Sequence, residues 1–116
     1  MTSRPSSPRR GDIYWVDFNP ARGSEQAGER PAVVVSPDFY NSRMRTVVIA
    51  CISSTITPAS RVAVFLPAGR PLNRDCQIKA FQIMTVDQSR LEDYKGRLDT
   101  NQILALDNAM REAWGL

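Results

Sequence analysis

No histidine occurs among the 116 residues. That absence removes the Ser-His-Asp and Cys-His devices, the paired-histidine ribonuclease mechanism and any histidine-ligated metal centre. Cysteine is nearly as scarce. Cys51 lies inside an apolar run and Cys76 at the start of another, with neither metal-ligand spacing nor a disulfide framework, so both are expected as buried thiols. Lysine is confined to Lys79 and Lys95, which makes thirteen of the fifteen cations arginine. Arginine suits forked contacts to phosphate or carboxylate, although a GC-rich coding composition produces the same bias. No run approaches the ~20 apolar residues of a membrane span and the first residues carry no hydrophobic signal segment, so a cytoplasmic protein is expected. Asp12, Asp17, Glu25 and Glu29 are not clustered in a spacing that calls for Mg²⁺, and neither metal nor cofactor is expected.

The net charge of +3 suggests nucleic acid until its distribution is examined. Arg4, Arg9 and Arg10 fall in a Ser/Pro-rich leader, residues 1–10, which reads as a disordered tail; residues 11–116 hold twelve basic and twelve acidic side chains. A basic binding face on this neutral body has to be a local patch. The length sets one domain, residues 11–116, able to bury roughly two thirds of its unfolded surface.

Periodicity supplies the elements. Residues 12–18 alternate as a half-buried strand, 31–37 read as a short buried strand, and 46–52, the most hydrophobic run, as a central strand. Residues 60–66 and 75–86 are further strands, separated by a Pro/Gly-punctuated loop at 67–74, and 90–98 read as a hairpin turning at Lys95-Gly96. Between the second and third strands a helical turn capped by Asp38 is expected, with Phe39 and Tyr40 packing inward and Asn41, Arg43 and Arg45 facing out. Asp99 or Thr100 can cap a terminal helix in which Ile103, Leu106, Met110 and Ala113 or Trp114 recur at spacings of three and four before Gly115. The expected architecture is mainly β: five to seven short strands in a curled sheet closed on itself, then one C-terminal helix.

The polar stretch 19–31 lies between two hydrophobic strands and is therefore mounted at both ends. Gly23 and Gly28 permit sharp turns or close approach to a ligand, and Arg22, Glu25, Glu29 and Arg30 bring both signs of charge. Arg30, at the exit of the loop, is the preferred phosphate ligand, because its planar fork binds two oxygens at once. An ordinary surface ion pair with Glu25 is the competing reading. A nucleotide-binding P-loop is rejected, since Glu29-Arg30 stands where that motif requires Lys and Ser/Thr. A hydroxyl cluster, Ser53, Ser54, Thr55 and Thr57, follows the central strand, where hydroxyls are held rigidly and can donate to a phosphoryl oxygen. Arg70, Arg74 and Lys79 can line an RNA groove or be solvated charges.

Taken together, residues 11–20, 23–28 and 30–37, then Tyr40-Asn41, the 46–54 strand and 75–91 with Gln82-Ile83 and Asp87-Gln-Ser-Arg-Leu91, resemble the MazF/PemK family of toxin endoribonucleases in the same order. The resemblance implies a small SH3-like barrel used as a homodimer, and the toxin of a toxin–antitoxin pair that cuts single-stranded mRNA at a specific word and arrests growth. It also implies an acidic, flexible antitoxin that covers the RNA site. In the family a threonine near the end of the central strand acts with the loop arginine on the scissile phosphate; the matching position here is Ser53, with Ser54 as the alternative by one residue. The catalytic candidates are thus Arg30, Ser53 and Glu25, and the RNA-binding candidates Asn19, Arg22, Ser24, Gln26, Ser54, Thr55, Arg74 and Lys79.

A metal-free reaction without histidine remains open because RNA carries its own nucleophile. Attack of the 2′-hydroxyl on the adjacent phosphorus gives a 2′,3′-cyclic phosphate and a 5′-hydroxyl, and the protein has only to align it, stabilise charge and move protons. Arg30 serves as an electrostatic clamp and a candidate acid rather than a base, because a guanidinium is a poor proton acceptor, and Glu25 is the candidate base. Two other classes stand beside this one: a gyrase-inhibiting toxin on the same barrel, and a non-catalytic barrel interaction module.

Overall fold

The computed structural model describes residues 7–18, 29–58 and 60–116. Six strands form one antiparallel sheet: β1 (Asp12–Asp17), β2 (Glu29–Val34), β3 (Thr46–Ser53), β4 (Ala63–Leu66), β5 (Cys76–Asp87) and β6 (Leu91–Arg97), in the order β4-β5-β3-β2-β1-β6. A one-turn helix, α1 (Asp38–Asn41), precedes β3, and α2 (Thr100–Trp114) ends the chain.

β2 and β3 read as continuous apolar runs because both faces of the sheet are covered. Ile13, Val33, Ala50 and Ile52 lie on one side with Leu106 and Ala109 of α2, while Val16, Ala32, Val34, Val47 and Ile49 form a second cluster with Tyr14, Phe18 and Leu91 on the other. The outer strands β4 and β6 do not pair with each other, so the sheet is open rather than closed as expected. α2 packs across β4 and β5 and covers the core there in place of strand closure.

β5 carries the main irregularity. Opposite β3, the pairing passes from Ala50↔Ile83 to Cys51↔Lys79, leaving three extra residues, Ala80, Phe81 and Gln82, on β5. Such a bulge bends its strand and increases its twist. The first half, between β3 and β4, is buried; beyond the bulge only β3 pairs with it, and Phe81, Ile83 and Met84 are exposed.

Other sequence expectations are revised by contacts distant in the chain. No hairpin forms at 90–98: a 3-10 turn (Gln88–Arg90) leads into β6, a single strand that pairs with β1, and Gly96 has a φ of 125° where a Cβ would stand 2.8 Å from Pro71. α1 is preceded by Pro37 as N-cap with no side-chain bond; the Asp38 carboxylate instead accepts from the Arg10 backbone N–H at 2.8 Å. Phe39 is 65% exposed rather than packed, and Asn41 is fully buried rather than outward-facing. Arg9 and Arg10, assigned by composition to the tail, are tied to the body: Arg10 donates Nε–H to the Val35 carbonyl at 2.9 Å and pairs with Asp107 of α2 at 2.8 Å. The terminal helix follows its sequence signals, with Asp99 and Gln102 forming a reciprocal capping box and Gly115 left-handed at the C-cap.

Candidate functional site

Strand register brings the candidate cation and hydroxyl together. β2 and β3 pair as Val33↔Ala50 and Ala32↔Cys51, and just beyond the end of this ladder Arg30 and Ser53 border the same hollow. Both sit where their strands leave the sheet, Arg30 exposed and Ser53 half-buried. Side chains of either parity can border a hollow at such a strand end, and a groove of about 440 Å³ lies there. Arg30, Ser53, Ser54 and Thr55 line it, over a base that includes Pro31, Ile52 and Cys76. The loop after β4 adds Leu72, Asn73 and Arg74, and β1 adds Trp15.

The hydroxyl segment is fixed from both ends. Ser53 Oγ accepts the Thr55 backbone N–H at 3.0 Å, a short-range turn that leaves the hydroxyl proton available to donate. Further on, Gln77 is paired twice with the Thr57 backbone, accepting its N–H at 3.0 Å and donating to its carbonyl at 2.8 Å. Lys79 belongs to this clamp rather than to a groove. It is 8% exposed, and its ammonium donates to Gln77 Oε1 at 2.6 Å and Thr57 Oγ1 at 3.1 Å. The expectation that it contacts RNA is corrected by its place in the doubly flanked half of β5, a burial its own sequence neighbourhood does not signal.

Two thiols report the local field. Burial pushes the Cys51 thiol up from its ordinary value, while the Arg30 charge pulls the other way, so the guanidinium field reaches this strand end. Burial likewise raises Cys76, helped by Asp75 and opposed by Arg74. Cys76 is buried as expected; Cys51 is only partly so.

Arg30, Ser53, Ser54, Thr55 and Arg74 are thus assembled in one groove. Asn19, Arg22, Ser24, Glu25 and Gln26 lie outside the described residues. Trp15, Leu72 and Asn73 were not singled out by sequence: Trp15 alternates as a strand residue and Asn73 sits in a loop rich in turn formers. A second hollow of about 460 Å³, bordered by Pro8, Tyr14, Arg45 and Gln88, holds none of the candidates.

Comparison with known proteins places the chain in a family. A profile of the PemK-like, MazF-like toxins of type II toxin–antitoxin systems matches residues 9–114. The endoribonuclease MazF of Staphylococcus epidermidis is 34% identical over 111 residues, spanning 93% of this chain and 92% of that protein. Among solved structures, a mycobacterial endoribonuclease in complex with its cognate antitoxin superposes with a TM-score of 0.81 at 24% identity, over 95% of this chain and 97% of its own. A MazE-MazF structure from Deinococcus radiodurans gives 0.79 at 22% identity, over 95% and 98%. With the profile spanning nearly the whole described fold, the chain belongs to the PemK-like, MazF-like toxin family of type II toxin–antitoxin systems.

Proposed function

We propose that this toxin, an endoribonuclease of the MazF type, cuts single-stranded mRNA at a specific word in the groove that joins Arg30 to Ser53, without a metal ion. The observation that carries the reading is the convergence in one strand-end groove of a guanidinium, a turn-fixed hydroxyl and a second arginine, Arg74. The scissile phosphate lies against Arg30, whose fork takes two oxygens, and Ser53 donates to a phosphoryl oxygen. The 2′-oxygen forms its bond to phosphorus as its proton passes to a base, for which Glu25 is the candidate. The bond to the 5′-oxygen breaks, and that oxygen leaves with a proton from an acid, giving cyclic-phosphate and 5′-hydroxyl ends.

The partners follow the same reading. A cognate antitoxin with an acidic flexible segment covers the arginines of the groove, a reading supported by the similar fold of a mycobacterial endoribonuclease solved in complex with its cognate antitoxin. A homodimer is supported by the exposed apolar stretch of β5, Phe81, Ile83 and Met84, which has no second strand beside it. No helix among the described residues is long and apolar enough to cross a membrane, and the proposed place of action is the cytoplasm.

The test is cleavage of a long single-stranded RNA in EDTA, with product ends mapped. Wild type should give discrete cuts ending in cyclic phosphate. Arg30→Ala should lose about 10²–10³-fold in kcat, as for removal of one charge-stabilising donor, and Arg30→Lys should recover little because the fork is lost. Near-normal cutting by Arg30→Lys would defeat the forked clamp. Intact RNA throughout, from folded wild type, would transfer the chain to the gyrase-inhibiting or non-catalytic class.

A further inference from the structure

The two tryptophans are used differently. Trp114 donates its indole N–H to the Ala80 carbonyl at 3.0 Å and so anchors α2 on β5. Trp15 is half-buried in β1 and borders the groove, and its indole N–H makes no hydrogen bond to a described residue. The Lys95 ammonium on β6 stands 5.8 Å from its ring centroid and steadies the ring. Two asparagines show the same contrast. The buried Asn41 amide is bonded through both its oxygen and its nitrogen, whereas Asn73 is exposed, borders the groove, and has no side-chain partner among the described residues.

Asn73 nevertheless stands on a fixed backbone. The Ala68 N–H donates to the Asp75 carboxylate at 2.8 Å, Arg70 N–H to the Pro67 carbonyl at 3.1 Å, and Gln102 of α2 donates to the Arg70 carbonyl at 3.0 Å. Pro71 lies against Gly96, and Leu72 packs on the core. The loop therefore presents an unengaged amide from a rigid base into the same groove as an indole with an unengaged N–H.

Unpaired RNA bases are recognised by stacking on aromatic rings and by hydrogen bonds to their edges. Arg30 and Arg74 supply charge for the phosphates, and the groove's 440 Å³ falls within the roughly 300–1,000 Å³ of small-ligand sites. We propose that Trp15 and Asn73 form the base-reading subsite of this groove: Trp15 as the stacking plate, and Asn73 as the amide whose paired donor and acceptor bind the edge of one unpaired base beside the scissile phosphate. This rests on the ribonuclease reading above and adds to it the residues that choose the sequence.

The primary test changes the amide without disturbing the fold, since Asn73 is exposed and on a loop held by other groups. Asn73→Asp replaces a donor–acceptor pair by two acceptors, which match the adjacent N1–H and N2–H₂ donors of guanine. Wild type, Asn73→Asp and Asn73→Ala are compared on a randomised single-stranded RNA library with all cut sites sequenced. Asn73→Asp should move the preference at one position of the word toward guanine. Asn73→Ala should relax that position by about five- to hundred-fold in relative kcat/KM, leaving the others unchanged. In a Trp114→Phe background, an RNA with a 2′-deoxy sugar at the cut should quench Trp15 fluorescence. Trp15→Ala should weaken its binding about five- to hundred-fold, with Trp15→Phe retaining most of it. Discrete wild-type cutting with an unaltered word in both Asn73 variants overturns the base-reading assignment and leaves the nuclease standing. Unquenched Trp15 fluorescence on saturating RNA removes the stacking plate, and an inactive wild type removes both readings together.

Discussion

Asn41→Ala deletes a fully buried side chain that bonds twice to Ser36: its Oδ1 accepts the Ser36 hydroxyl at 2.5 Å and its Nδ2 donates to the Ser36 carbonyl at 2.9 Å. The Ser36 hydroxyl in turn accepts the Val48 backbone N–H at 3.0 Å, so the amide also orients the group that receives β3. Truncation leaves a buried hydroxyl proton and a buried carbonyl without this partner, each costing about 1–3 kcal/mol, partly offset where water enters the space. The expected loss is about 3 kcal/mol, a large share of the ~5–15 kcal/mol that holds a domain of this kind, and it should appear as a Tm lower by roughly 10 °C. Urea unfolding should show the midpoint falling at constant slope, and a double-mutant cycle with Ser36→Ala should return a coupling of at least ~1 kcal/mol. Asn41→Asp should fare worse at neutral pH, because a carboxylate oxygen then faces the Ser36 carbonyl. Burial lifts that carboxyl above its unfolded ~3.9, so the variant is best tolerated below that pH and loses stability as pH rises through the folded pKa. A loss under ~0.5 kcal/mol for Asn41→Ala would refute the buried-amide account.

Alkaline pH provides a second test, since burial raises the ionisation of Cys51, Cys76 and Tyr14 above their ordinary values of 9.0 for the thiols and 10.0 for the phenol. The folded state then keeps protons that the unfolded chain releases, so stability should fall as pH rises past about 9. Replacing both cysteines by alanine should remove the thiol limb while leaving the tyrosine limb, and a urea midpoint flat up to about pH 10.5 would contradict the shifts. Gly96→Ala forces a Cβ to within 2.8 Å of Pro71 at a φ of 125°, and should cost about 1–3 kcal/mol in urea unfolding. An unchanged midpoint would mean that Pro71 yields freely.

Local chemistry made much of the chain legible. Alternation and apolar runs located five of the six strands to within a few residues, and Asp99 with Gly115 bracketed the helix, because strand pleat and helix capping are written in neighbours. Lys95-Gly96 is a good turn signal and by itself predicts a hairpin at 90–98; in the fold Gly96 is required by Pro71, twenty-five residues earlier in the chain. The polarity of Lys79 and Asn41 predicts surface positions, yet both are buried with their polar atoms bonded. A side chain's polarity predicts exposure only until a specific partner is supplied from elsewhere.

The candidate site divides along the same line. The types of group it contains, an arginine at a loop exit and hydroxyls at a strand end, are properties of the sequence, as are the absence of histidine and the family motifs. Their meeting is a property of strand pairing: the β2–β3 ladder, ending at Ala32↔Cys51, carries Arg30 and Ser53 to one strand end, and the Gln102 bond to Arg70 with the packing of Pro71 against Gly96 holds the 67–75 loop that adds Asn73 and Arg74 beside Trp15. Composition and periodicity act over a few residues and determine which elements form. Register, the bulge in β5 and the open edge of the sheet are decided only when strands distant in the chain exchange hydrogen bonds and bury a common face, because only then does one alignment satisfy every backbone group.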